Sequence, residues 1–178
     1  MRYASIRSMD ISNGKGVGVS LFVQGCLNHC YNCFNPETWD FNGGKQWTKE
    51  VQDEFLRLVS QPFVTRISIL GGEPLAYENL PDVYDLLEII KKDYPDKKIW
   101  LWTGFELNIS NFNQNVDICW DNGLLRNYIL GKCDYVIDGR YIDELKNYSL
   151  AFRGSSNQRI IDVQKTIKLN KIVEYEDD

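Results

Sequence analysis

Arg66-Ile67-Ser68-Ile69-Leu70 reads as a short strand, stopped by Gly71-Gly72-Glu73-Pro74. Leu80, Val83, Leu86, Leu87, Ile89 and Ile90 then recur at helical spacing until Pro95, since apolar side chains three and four apart line one face of a helix. Lys98-Ile99-Trp100-Leu101-Trp102 follows at once as the next strand. The same alternation continues in both directions. Upstream, Val17-Gly18-Val19-Ser20-Leu21-Phe22-Val23 is rich in β-branched and aromatic residues, and Thr48 can cap a helix whose apolar positions Val51, Phe55, Leu58 and Val59 share a face. Downstream, beyond an Asn-rich loop from Asn108 to Asn115, Leu124 to Leu130 has a helical pattern. Cys133-Asp134-Tyr135-Val136-Ile137 then makes a fourth strand, ended by Asp138-Gly139. Strands joined by single helices form parallel sheets covered by those helices. About four or five such units are too few to close an eight-stranded barrel. The expected fold is therefore α/β, an open partial (β/α) barrel with parallel strands.

Ligand sites in such folds form at the carboxyl ends of the strands. Gly25-Cys26, Gly71-Gly72-Glu73-Pro74, Thr103-Gly104 and Asp138-Gly139-Arg140 all fall there, so one site is expected from four loops. Composition excludes several classes of function. A length of 178 residues fits a single domain over residues 1–178, and 43% hydrophobic with 25% charged residues excludes a disordered or fibrous chain. A formal net charge of -5 argues against broad attraction to nucleic acid or anionic lipid. The first ten residues lack the apolar core of a signal peptide, and no apolar run approaches the ~18 residues of a membrane helix. The expected location is the cytoplasm, and the acidic tail over residues 173–178 reads as a solvated end.

Five cysteines are an odd number, and three of them crowd into Cys26-Leu27-Asn28-His29-Cys30-Tyr31-Asn32-Cys33. In a reducing compartment the Cys-x3-Cys-x2-Cys spacing points to a metal or redox site and not to a disulfide framework. Thiolates favour soft metals, chiefly iron–sulfur clusters and zinc. A closed zinc site would need a fourth ligand, which His29, Cys119 or Cys133 could supply. A four-iron cluster would be left with one iron free of protein ligands. Unligated core cysteines are the plainest alternative.

The spacing resembles the cluster motif of the radical S-adenosylmethionine superfamily, and Gly71-Gly72-Glu73-Pro74 resembles that family's Gly-Gly-Glu segment at the end of the second strand. Four further segments are similar to those of the activating enzymes of class III anaerobic ribonucleotide reductases. They are Phe34-Asn35-Pro36-Glu37-Thr38-Trp39, Trp100-Leu101-Trp102-Thr103-Gly104-Phe105, Asp134-Tyr135-Val136-Ile137-Asp138-Gly139-Arg140-Tyr141 and Phe152-Arg153-Gly154-Ser155-Ser156-Asn157-Gln158-Arg159. The matches run over residues 10–163, where the resemblance implies a radical S-adenosylmethionine core.

The resemblance implies a [4Fe-4S] cluster held by Cys26, Cys30 and Cys33, with S-adenosylmethionine chelating the open iron. It places Asn32, Cys33, Phe34, Gly72, Glu73, Asp138 and Arg140 at the cofactor. It implies reductive cleavage to methionine and a 5′-deoxyadenosyl radical, which takes a hydrogen atom from a glycine of the reductase large subunit. A flavodoxin or ferredoxin would be the electron donor, and homodimers of enzyme and reductase are admitted. No nucleic acid or membrane partner is implied. Where the superfamily often has an aromatic residue before the third cysteine, Asn32 stands here, so that contact falls to backbone, Tyr31 or Phe34. Turn roles for Glu73 and Asp138 are the plain alternatives.

His29 is expected to face solvent or support the site without ligating, Cys119 and Cys133 to be small buried hydrophobes, and Trp100 and Trp102 to lie in the core. Arg153, Asn157 and Arg159 are assigned to the cofactor site or to the docking surface for the reductase. Competing functions are activation of another glycyl radical enzyme of the formate-lyase type, and a non-catalytic zinc-binding module.

Overall fold

The computed structural model describes residues 1–112 and 122–176. Among these, seven strands form one open sheet in the order β3-β1-β2-β4-β5-β6-β7. They are β1 (Arg2–Asp10), β2 (Gly18–Val23), β3 (Lys45–Gln46), β4 (Arg66–Gly71), β5 (Lys98–Trp102), β6 (Tyr135–Asp138) and β7 (Arg159–Asp162). Helices α1 (Lys49–Val59), α2 (Leu80–Asp93), α3 (Asn122–Lys132) and α4 (Val163–Leu169) complete the fold.

The central strands β2, β4, β5 and β6 are parallel. They are the four strands legible in the sequence, within two residues at each end. The edges correct the expectation of parallel strands throughout: β1 pairs antiparallel with β2 and β3, and β7 pairs antiparallel with β6. β1 carries Arg2, Ser5, Arg7 and Ser8 and is half exposed, so it lacks the apolar run that marks a strand buried on both faces. β7 has only four residues, close to the lower limit of strand length.

Alternation along the central strands divides the sheet into two unlike faces. Val19, Leu21, Ile67, Ile69, Ile99, Leu101 and Val136 are fully buried in the main core with Phe55 of α1, Leu86 and Ile90 of α2, Ile129 of α3 and Val163 of α4. All four helices thus contribute to the cover of one face. The other face carries Ser20, Phe22, Ser68, Leu70, Trp100, Trp102 and Ile137, with a small apolar cluster of Trp100, Ile137 and Ile160. Here Arg66 is fully buried, ion-paired with Asp10 and hydrogen-bonded to Ser68. Gly18 has to be glycine at this point, because a Cβ would lie 2.5 Å from the Arg66 side chain. Among the described residues no helix is long and apolar enough to cross a membrane. Cys119, and the Asn-rich loop beyond Phe112, lie outside the described residues.

Candidate cluster and cofactor site

The face left uncovered by helices opens, at the carboxyl ends of the parallel strands, into a cavity of about 560 Å³. The cysteine loop leaves β2 and forms one wall. Its base is pinned by backbone bonds, with the N–H of Gly25 donating to Thr38 O at 2.8 Å and that of Cys26 to Trp39 O at 3.0 Å. A Cys30–Cys33 turn closes its far end through Cys33 N–H to Cys30 O at 3.1 Å. Asn32 occupies the third position of that turn with φ 52, a left-handed conformation that asparagine tolerates better than most residues.

Cys26, Cys30 and Cys33 all line the cavity, and none is in a disulfide. Burial pushes the Cys26 thiol up. It does the same to Cys30, where Cys33 adds to the rise and the Tyr141 N–H and the Arg140 charge pull it back. Among the described residues no three His, Cys, Asp or Glu side chains converge on a point that one metal ion could occupy. Thiolates of a four-iron cluster each bond a different iron, and three thiols lining one cavity supply the soft donor set that such a cluster takes. His29 is exposed, stacks on Trp39 at 4.6 Å and does not line the cavity.

The second wall is the end of β4. Gly72 N–H donates to Val23 O and Glu73 N–H to Gly25 O, tying this loop to the root of the cysteine loop. A Cβ on Gly72 would stand 2.5 Å from Gly25 O, so only glycine lets the two chains approach this closely. Glu73 is almost wholly buried. One carboxylate oxygen accepts from Leu75 N–H at 3.0 Å and Thr103 Oγ1 at 2.8 Å, the other from Gly104 N–H at 2.8 Å and Asn28 Nδ2 at 3.3 Å. Burial raises the Glu73 pKa, against the pull of these donors and of Arg126. This carboxylate therefore joins the ends of β4 and β5 to the cysteine loop.

The third wall comes from the loop after β6 and the segment that folds back to β7. Gly139, Arg140 and Tyr141 line the cavity together with Phe152, Arg153 and Gln158. Gln158 Nε2 donates to Gly139 O at 3.0 Å and its oxygen accepts from Gly154 N–H at 2.9 Å, while Asn157 Nδ2 donates to Arg140 O at 2.8 Å. Arg153 has a buried Nε with no hydrogen-bond partner. Arg7, Arg140 and Arg153 face the cavity against the single carboxylate of Glu73, so the wall is cationic although the chain is net acidic.

Of the residues singled out in the sequence, Cys26, Cys30, Cys33, Phe34, Gly72, Glu73 and Arg140 share this cavity. Asn32 and Asp138 are not on its wall. The Asn32 side chain donates to Asp143 at 2.9 Å. Asp138 is buried, accepting from Arg159 Nε at 3.1 Å and Leu107 N–H at 2.9 Å. Trp100 is in the core as expected, but Trp102 lines the cavity, donating its indole N–H to Phe152 O at 2.9 Å. Cys133 is buried and its thiol is pushed up by desolvation. Asn28 and Gln158 carry contacts that the sequence alone did not assign. Their signal was position only, one inside the cysteine loop and the other in the Arg153–Arg159 segment.

Residues 12–161 match the family model of a 4Fe-4S single cluster domain, which defines the class of protein to which this site belongs. The chain is 36% identical over 160 residues to the anaerobic ribonucleoside-triphosphate reductase-activating protein of Salmonella typhi, covering 89% of this chain and 96% of that one. It is 35% identical to the protein of that name from Escherichia coli (strain K12), with the same coverage. To that of Enterobacteria phage T4 it is 32% identical, over 90% of this chain and 93% of the other. The chain belongs to the family of anaerobic ribonucleoside-triphosphate reductase-activating proteins.

Proposed function

We propose that this chain is the radical S-adenosylmethionine enzyme that installs a glycyl radical in an anaerobic ribonucleotide reductase, acting in the cytoplasm on the reductase large subunit. The observation that carries the reading is that three cysteine thiols, Gly72, Glu73 and Arg140 line one cavity. The sheet, open at β3 and β7, is read as the partial barrel of a radical S-adenosylmethionine core, one domain over residues 1–178.

Cys26, Cys30 and Cys33 would hold the cluster as thiolates, leaving one iron for S-adenosylmethionine. Such a cluster, reduced by a flavodoxin or ferredoxin, would supply the one electron that S-adenosylmethionine takes up as its sulfur–carbon bond breaks, giving methionine and a 5′-deoxyadenosyl radical able to take a hydrogen atom from a glycine. The residues of the chain orient and shield that chemistry. Gly72 leaves room at the strand end, and Glu73 fixes Asn28, Thr103 and Gly104 around it. Arg140 and Arg153 offer cationic charge to a carboxylate such as that of the methionine moiety. The open side of the cavity gives a glycine-bearing protein segment a way in. Asn32, whose side chain is bonded to Asp143, would meet the cofactor through its backbone, and Asp138, held by Arg159, would support the Gly139-Arg140 turn from beneath.

The test is anaerobic reconstitution with iron and sulfide, followed by electron paramagnetic resonance with and without S-adenosylmethionine. A reduced four-iron signal that changes shape with the cofactor, and a glycyl radical doublet on added reductase, are expected. Bound zinc, or a cluster blind to the cofactor, would overturn the reading; a doublet on a formate-lyase type enzyme alone would change the target.

A further inference from the structure

Asp143 begins a short 3-10 helix, Asp143–Leu145, just beyond the cavity wall. Its two carboxylate oxygens are used separately. One accepts from Asn32 Nδ2 at 2.9 Å, the other from Tyr141 Oη at 2.5 Å. The first bond spans 111 residues of chain and reaches the Cys30–Cys33 turn. The second comes from a residue whose ring packs on Phe34 at 5.0 Å, directly after the third cysteine. Gly154 completes the contact, since a Cβ there would meet Phe34 at 2.7 Å and Tyr141 at 2.9 Å. Phe34 and Tyr141 both line the cavity.

We propose that Asp143 is a positioning residue for the cysteine loop, latching the Cys30–Cys33 turn to the loop after β6 so that the thiols face the cavity before iron arrives. The proposal rests on the reading of Cys26, Cys30 and Cys33 as cluster ligands. The turn needs such a latch because none of its four residues is buried. Its one large apolar side chain, Tyr31, is 75% accessible, so apolar burial contributes little to holding it. Backbone bonds fix its root at Gly25 and Cys26. At its far end the links to the rest of the chain include the Asn32–Asp143 bond, the Phe34–Tyr141 ring contact and the Tyr141 N–H directed at the Cys30 thiol. A ligand set ordered in advance spares the ordering cost on loading, and fixed contacts around a cluster also set its reduction potential.

The experiment uses the full chain with Asn32→Gly, Asp143→Ala and Asp143→Asn. Glycine at position 32 keeps the left-handed turn and removes the donor. Asparagine at 143 keeps an acceptor for Asn32 and turns its amide toward the Tyr141 oxygen, so it is the conservative rescue. The first readout is the alkylation rate of Cys30 and Cys33 in metal-free protein, measured by peptide mass spectrometry with buried Cys133 as the internal reference. The second is the midpoint potential of the reconstituted cluster. Asn32→Gly and Asp143→Ala are expected to speed alkylation about tenfold, the scale of one lost hydrogen bond to a charged group, and to shift the potential, with Asp143→Asn close to wild type. Unchanged alkylation and potential in both disruptive variants, with circular dichroism confirming the fold, would overturn the latch. Failure of the wild-type chain to load iron would instead remove the cluster reading, while the alkylation comparison still decides whether the latch exists.

Discussion

At the scale of single residues, buried charge is confined to a few places, each with a structural reason. Asp10 and Arg66 form the deepest pair, on the sheet face opposite the helices. Burial alone would raise the Asp10 carboxyl, but hydrogen bonds from the Ser12 and Asn13 N–H groups and the Asn13 side-chain amide outweigh it and hold the group at about 2. A carboxyl depressed in the folded state contributes stability fully above its unfolded value of 3.8 and loses it as pH falls toward 2. Urea unfolding between pH 2 and 7 should therefore show wild-type stability falling below about pH 4. Asp10→Asn should flatten that slope, and at pH 7 should cost about 3 kcal/mol by leaving Arg66 buried without its counter-ion; a variant that tracks wild type at every pH would show that Asp10 carries no such charge. The candidate site was legible at this scale only where chemistry is tied to spacing. The three cysteines and Gly72-Glu73 declare themselves in sequence. Asn32 and Asp138 show the limit, because an Asn in a turn or an Asp before a Gly has the same local pattern whether its side chain faces a cavity or a distant partner. Asp143, 111 residues from Asn32, and Arg159, 21 from Asp138, could be found only in three dimensions.

Among the elements, the parallel centre could be read from its sequence because nearly all of its residues are buried, on the cavity face as well as under the helices, in runs dominated by apolar side chains. The edge strands could not. β1 is a half-exposed hairpin arm whose pattern is mixed, and β7 is four residues long inside a segment whose other features suggested a loop. What fixes β7 is the helix that follows it. Asp162 ends the strand and caps α4, its carboxylate accepting from Lys165 N–H at 3.0 Å, and Asn170 closes that helix in a left-handed C-cap. Because α4 has only seven residues, it depends on its ends more than on its own hydrogen-bond ladder. Asp162→Ala should lower stability by about 1 kcal/mol, seen as a fall of roughly 2–4 °C in the thermal midpoint for a chain of this size. An unchanged midpoint would mean that α4 is held by Val163 and Thr166 packing alone.

For the molecule as a whole, the division of the sheet into two faces separates stability from chemistry. The main core lies between the sheet and the four helices, and none of Cys26, Cys30 or Cys33 belongs to it. The cavity on the other face is walled by strand-end loops joined through single polar residues, chiefly Glu73 and Gln158. Such a design lets loops be shaped by a ligand without disturbing the fold that carries them. Replacing all three cysteines by alanine should thus leave the far-UV circular dichroism of the metal-free protein unchanged. Its thermal midpoint should stay within about 4 °C of metal-free wild type, the shift that roughly 1 kcal/mol brings to a chain this long. Loading iron and sulfide should then raise the midpoint of the wild-type chain and not that of the variant, because a group that binds only the folded state stabilises it by mass action. If the triple variant instead lost its secondary structure, the cysteine loop would be part of what folds the chain, and the two faces could not be assigned separate roles.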